Sequence, residues 1–247
     1  MSRSVESGTP PLVGEGPGER SGPVVLVDMG DNIGGGSAGD STFLLAELLR
    51  QGAQGWVVTL ADPAAVAECI RAGVGQPVSL TVGGKTDTLH GAPVPVRGRV
   101  RSLHEGTYED PERRHGGQRR YDQGLTAVVA VETRNEERGS QRNEERGMRN
   151  EETGHESLAP HSSFLIPHSY LILTSRRHPP FSLQQLVSLG IAPERQRILV
   201  VKAAIAYRAA YEPIAGRIIE VNTPGLTCID PAAFTYARAR RPLWGLP

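Results

Sequence analysis

The apolar and polar positions along the chain alternate between two periods, and they divide it into strands and helices. Residues 24–29, VVLVDM, form a short run rich in β-branched residues, which predicts a buried strand. A glycine-rich loop follows, and STFLLAELLRQG then carries a helical pattern, with Asp40 or Ser41 expected as N-cap and Gly52 as the stop. WVVTLA (56–61) predicts a second strand. DPAAVAECIRAG predicts a helix with Asp62 at the N-cap, Pro63 in the first turn and Gly73 just past the end. Val66, Cys69, Ile70 and Gly73 fall on one face of it, so Cys69 reads as a packed core residue rather than a nucleophile. PVSLTVGG gives a third strand. The order β-α-β-α-β favours a parallel or mixed sheet with helices on its faces.

Further along, PVPVRGRVRSL (93–103) alternates with period two, as a half-exposed strand does. HEGTYEDPERRHGGQRRYDQG is polar and turn-rich, a loop or irregular hairpin. LTAVVAVE (125–132) and YLILTS (170–175) are strands, FSLQQLVSLG a helix with a Ser182/Gln185 capping box and a Gly190 stop, RILVVKA a strand, AIAYRAAY a helix and RIIEVNT a last strand. The fold class that results is α/β, a mixed and partly parallel sheet with flanking helices.

Residues 134–169 break this pattern. RNEERG occurs at 134–139 and at 142–147, and RNEE returns at 149–152. With mixed charge and no apolar face, this insertion is expected to be disordered. The genetic code relates its two halves. GMRNEE (147–152), written with allowed codons, has FLIPHS (164–169) as its in-frame reverse complement. Met148, with its single codon, stands opposite His168 and is the tightest constraint. The segment therefore reads as an inverted DNA repeat, which the codons of the gene will confirm or refute. His155, His161 and His168 are accordingly poor metal ligands despite their spacing. Without the insertion, LTAVVAVE and YLILTS would form an ordinary β-hairpin.

Composition narrows the function classes. The chain has 247 residues, with 27 Lys plus Arg against 27 Asp plus Glu. This balance offers no electrostatic capture of nucleic acid or an anionic membrane. No apolar run approaches the ~20 residues of a membrane span. Residues 1–22 have no apolar signal-peptide core and read as a flexible lead-in. Two distant cysteines, Cys69 and Cys228, make no disulfide framework, so a reducing cytoplasm is expected.

The glycine loop carries the candidate chemistry. Gly34, Gly36 and Gly39 match G-x-G-x-x-G. A dinucleotide reading needs those glycines directly after the strand, but the first lies five residues past Met29. Asp28, Asp31 and Asp40 also repel a pyrophosphate. A phosphate loop of the Walker type fails, because no Gly-Lys-Ser/Thr follows. Asp28, Asp31, Asn32 and Asp40 could instead offer oxygen ligands to a hard cation. Alternatively, Asp31 and Asn32 stabilise a tight loop, Asp40 caps a helix and the glycines permit close backbone approach.

Five blocks, PVVLVDMGDNIGGGSAGDSTFLL, AGVGQPVSLTVGGKTD, LILTSRRHPPFSLQQLVSLGI, RILVVKAAIAYRAAYEPIAGRIIEVNTPGLT and RRPLWGLP, stand in an order that resembles the C-terminal domain of the MlrC family, the M81 metallopeptidase-like proteins named for linearised-microcystin peptidase. The resemblance spans residues 23–247 apart from the insertion. It implies that zinc-binding His and Asp residues belong to an N-terminal domain outside this chain. On that expectation the chain binds no cofactor or metal itself and has no catalytic residue. It would be a non-catalytic, cleft-forming subunit of a split enzyme, partnered by a separately encoded zinc domain and facing a peptide or amide-like substrate, or else a remnant. The substrate-cleft loop then comprises Asp31, Asn32, Gly34, Gly35, Gly36, Gly39, Asp40, Ser41 and Thr42, with Lys85, Arg176 and Lys202 as weaker candidates. Arg176 and Arg177 could bind a substrate carboxylate. Ile33 departs from an expected Pro, and Ala203 and Ala206 stand where the resemblance places Ser and His. A nucleotide- or phosphate-binding module built on Gly34–Gly39 is the alternative.

Overall fold

The computed structural model describes residues 21–113, 117–132 and 168–238. Nearly all of the 134–169 insertion, the 1–22 lead-in and the last residues of the chain lie outside that range. The described residues form an eight-stranded mixed sheet. Its strands are β1 (Val24–Asp28), β2 (Trp56–Ala61), β3 (Pro77–Val82), β4 (Val94–His104), β7 (Thr126–Val131), β8 (Ser169–Thr174), β9 (Ile198–Val201) and β10 (Arg217–Val221). They lie in the order β10-β1-β9-β2-β8-β7-β4-β3. The first five run parallel, and β7, β4 and β3 continue the sheet antiparallel. A small ribbon of β5 (Thr107–Glu109) and β6 (Arg120–Asp122) resolves the polar stretch after β4 as a hairpin.

Two apolar layers cover the sheet. Helices α1 (Phe43–Arg50) and α2 (Pro63–Ala72) bury Leu45, Leu48, Val66 and Cys69 against Trp56, Val58, Leu60, Leu171 and Leu173 on one face. On the other face, the one-turn helices α3 (Gln184–Val187) and α4 (Arg208–Tyr211) pack Leu186, Ala210 and Tyr211 over Val25, Val27, Val57, Ile172, Leu199 and Val201. Successive residues of one strand supply opposite layers, as the two-residue repeat requires. Strands covered on both sides therefore read as continuous apolar runs, which is the pattern of VVLVD, WVVTLA and SYLILT. In β4 only one face is covered, and Val96 and Val100 point inward while Arg97, Arg99 and Arg101 stand in solvent.

The helix ends test the local reading. In α2 the Asp62 carboxylate accepts from the Ala65 N–H, Pro63 sits at N1, and Gly73 turns out with φ 89°, as the sequence predicts. Burial pushes the Cys69 thiol up to about 11, with the charges of Glu68 and Asp62 adding to it. A thiol so protonated is no nucleophile. Ile70, however, is 43% exposed rather than part of the buried face. In α1 the N-cap is Thr42, not Asp40 or Ser41. Asp40 is drawn away to the segment after β3, where it takes the backbone of Lys85 and Thr86. The Ser182/Gln185 capping box does not form. Ser182 Oγ accepts from the Gln184 N–H, but the Gln185 side chain donates to Gln123. Strands β7 and β8 pair antiparallel, with Val131 opposite Ser169. No helix among the described residues is long and apolar enough to cross a membrane.

Candidate functional site

In an open sheet of parallel strands, the carboxyl ends are where loops converge and ligands bind. Here each of the five parallel strands ends in a polar or charged group. Thr223 follows β10, Asp28 ends β1, Lys202 follows β9, Asp62 follows β2, and Arg176 and Arg177 follow β8. The glycine loop leaves β1 and crosses above them.

Lys202 is the hub. Only 4% exposed, it directs Nζ at Asp28 Oδ2 (3.0 Å), Asp31 Oδ2 (2.9 Å) and the Ser41 carbonyl oxygen (2.9 Å). An ammonium has three donors, so all are used. Both carboxylates are fully buried. Burial opposes the charge on Lys202, but Asp28 and Asp31 outweigh it and hold the ammonium above its usual pKa. Burial likewise pushes Asp31 up, yet the Lys202 charge and the N–H groups of Ser41 and Gly39 leave the carboxyl below its ordinary value. Asp31 Oδ1 accepts from Ser37 Oγ (2.8 Å) and Gly39 N–H (2.7 Å), and Oδ2 from Ser41 N–H (2.7 Å). Asp28 accepts in turn from the Thr223 hydroxyl.

This arrangement shows what the polar groups of the glycine loop are bonded to. The Gly39 and Ser41 N–H groups that a phosphate would need are donated to Asp31. The carboxylates that a cation would need are bonded to an ammonium. Among the described residues no group of three or more His, Cys, Asp or Glu is placed to hold a metal ion. The charge of Asp28 and Asp31 is balanced by Lys202.

The remaining loop positions do other structural jobs. Asn32 N–H donates to Thr227 Oγ1 (2.8 Å), pinning the loop to the segment after β10. Gly34 and Gly35 lie in a 3₁₀ turn that Gly36 closes with φ 99°, and all three face solvent. Asp40 Oδ2 accepts from Lys85 N–H, Thr86 N–H and Thr86 Oγ1. Thr42 Oγ1 donates to the Ala92 carbonyl oxygen (2.8 Å). Thus Asp31, Ser41 and Lys202 come together, while Asp40 and Thr42 face the segment after β3. Lys85 pairs with Asp62 (2.7 Å) beside that segment, and Arg176 pairs with Asp122 of β6.

Residues that sequence reasoning passed over complete the network. His90 is fully buried, with Nδ1 2.9 Å from Asp87 and Nε2 2.7 Å from Ser37 Oγ. Ser37, His90 and Asp87 thus have the spacing of a nucleophilic triad. Ser37 has no exposed surface, and its hydroxyl lies 2.8 Å from Asp31 Oδ1 as well as 2.7 Å from His90 Nε2, so the carboxylate and the imidazole share it. The group clamps the loop onto the Asp87–His90 turn. The Asp-x-x-His spacing in TDTLH was the only local hint of it.

At the rim, His178 packs edge-on to Tyr108 and Tyr121 and contacts the Tyr108 hydroxyl at 2.7 Å. Burial lowers its pKa from 6.5 to about 4, against the pull of Asp122. A histidine kept neutral in the fold supports stability above ~6.5, and that support is lost as pH falls toward its folded value. Urea denaturation at pH 7 and pH 4.5 should show the wild type losing up to about 3 kcal/mol more than a His178→Phe variant. Equal losses would show that His178 is not buried neutral.

Comparison with known proteins agrees with this architecture. A family model described as MlrC C-terminus matches residues 26–137 and 138–238. Microcystinase C of Sphingomonas sp is 26% identical over 223 residues, covering 90% of this chain and 35% of that protein. A crystal structure from Mesorhizobium sp. BNC1, provisionally assigned as a metallopeptidase, matches with a TM-score of 0.66 and 25% identity, covering 90% of this chain and 38% of that one. The chain spans little more than a third of the length of either relative.

Proposed function

The chain belongs to the family of MlrC C-terminal domains, and from that premise we propose that it forms the metal-free wall of the substrate cleft in an MlrC-type zinc metallopeptidase. Zinc and its ligands come from the part of the relatives that this chain does not match, whether that part is joined to it or encoded apart. The substrate is a peptide or a related amide.

One observation carries this reading. The family's signature loop lies at the carboxyl ends of the parallel strands, with its acidic groups neutralised from within by Lys202. A loop so locked presents a rigid surface, with Gly34, Gly35 and Gly36 bare toward solvent. Rigid, pre-formed walls orient a substrate without spending its binding energy on ordering the site. The domain's part in the reaction is to bind and position the substrate and to exclude water, while water activation belongs to the zinc.

The test is a chimera in which residues 21–238 replace the matching portion of Microcystinase C. The chimera should cleave a peptide in a zinc-dependent way, and the chain alone should release no product. Hydrolysis by the chain alone with one bound zinc would overturn the reading. So would a folded, zinc-loaded chimera that cleaves nothing while the parent protein does.

A further inference from the structure

Two adjacent arginines follow β8, and the structure treats them differently. Arg176 forms an ion pair with Asp122 and points toward the β5–β6 ribbon. Arg177 turns to the glycine loop, where Nη1 donates to the carbonyl oxygens of Gly36 (3.0 Å) and Ser37 (3.0 Å). Both bonds come from Nη1. Among the described residues, the side-on edge of the guanidinium, Nε–H together with Nη2–H, has no acceptor, and no carboxylate pairs with Arg177. That edge is the planar fork that meets a carboxylate through two parallel hydrogen bonds.

The surroundings suit a small anionic ligand. Arg177 is exposed, and a side chain added at Gly36 would meet nothing within 4 Å, so the approach over the loop is open. An exposed guanidinium anchored on the loop carbonyls, with its fork free, fits a carboxylate at the end of a chain. The C-terminus of a short peptide has that chemistry.

We propose that Arg177 is the carboxylate receptor of the cleft and takes the free C-terminal carboxylate of a short peptide on its Nε/Nη2 fork. This inference rests on reading the loop as a cleft wall, but its test is binding to the chain alone. Failure here is therefore distinct from failure of the chimera to cleave.

The experiment titrates N-acetyl-Ala-Ala and its C-terminal amide into the full chain, read by NMR on the Gly36 and Ser37 amides and the Arg177 side chain. The free acid should shift these signals saturably, and the amide should bind at least about tenfold more weakly, the scale of one bidentate charged contact. Arg177→Met should weaken the acid by a similar factor, and Arg176→Met should leave it unchanged. Arg177→Lys keeps a cation that can reach the loop carbonyls but removes the fork. It should lose affinity while the Gly36 and Ser37 signals of the unliganded protein stay in place, which separates recognition from bracing. Equal binding of acid and amide, no saturable shift with the acid, or equal losses in the Arg176 and Arg177 variants would each overturn the proposal.

Discussion

Lys202→Met is expected to destabilise the protein by about 4 kcal/mol, because it strands Asp28 and Asp31 as buried carboxylates without a counter-ion. Methionine keeps the apolar stem, so the loss reports the charge rather than a cavity. The pH dependence should then weaken. In the wild type, Asp31 is held below its ordinary pKa, so its contribution is present above ~3.9 and is lost as pH falls through the folded value. In the variant Asp31 loses the ammonium that helped lower its pKa, so its carboxyl titrates higher than in the wild type, acidification relieves part of the penalty and the gap from wild type narrows. Replacing Asp28 and Asp31 by Asn together with Lys202→Met should recover much of the loss. Urea denaturation from about pH 2 to pH 8 measures all three. A Lys202→Met protein as stable as wild type at pH 7 would show that the ammonium does not hold the loop.

The second large effect falls on a glycine outside the recognisable motif. A Cβ at Gly30 would run into the carbonyl oxygen and hydroxyl of Thr223 and the Pro224 carbonyl oxygen. These are backbone or hydrogen-bonded groups that cannot swing aside, and Thr223 also binds Asp28. Gly30→Ala should therefore cost about 3 kcal/mol, at the upper end for overpacking. Gly34, the first glycine of the G-x-G-x-x-G match, would bring a Cβ only to 3.3 Å from Asn32 Oδ1. Its Ala variant should lie within about 0.5 kcal/mol of wild type. Thermal and urea unfolding of the pair would contradict this account if their order were reversed.

That contrast marks how far the sequence could be read. Elements with a local signature were legible. The Asp62–Pro63 start and Gly73 end of α2, the alternation in β4 and the apolar runs of β1, β2 and β8 all follow from short-range propensity and burial. The resemblance also placed the chain in its family and singled out the loop that the structure sets at the carboxyl ends of the strands. What stayed hidden depends on long-range pairing. β9 inserts between β1 and β2, and β10 lies on the far side of β1; neither neighbour leaves a periodic trace. The α1 cap was misread for the same reason, since Asp40 finds stronger partners 45 and 46 residues away. Thr223 meets Asp28 across 195 residues. Lys202 carried a faint signal, a single cation closing the apolar run ILVV, but its two carboxylates could be chosen only in three dimensions. Likewise, Arg176 and Arg177 have the same standing in sequence, and only the positions of Asp122 and the glycine loop separate them.

The central claim is that the loop's carboxylates belong to Lys202 and leave no seat for a metal. The most direct test is a titration of the chain with zinc, followed through the NMR signals of the Gly39 and Ser41 amides that donate to Asp31. The account predicts that both signals stay fixed up to several equivalents of zinc. A saturable shift of either at one equivalent would place a metal on Asp31 and contradict it.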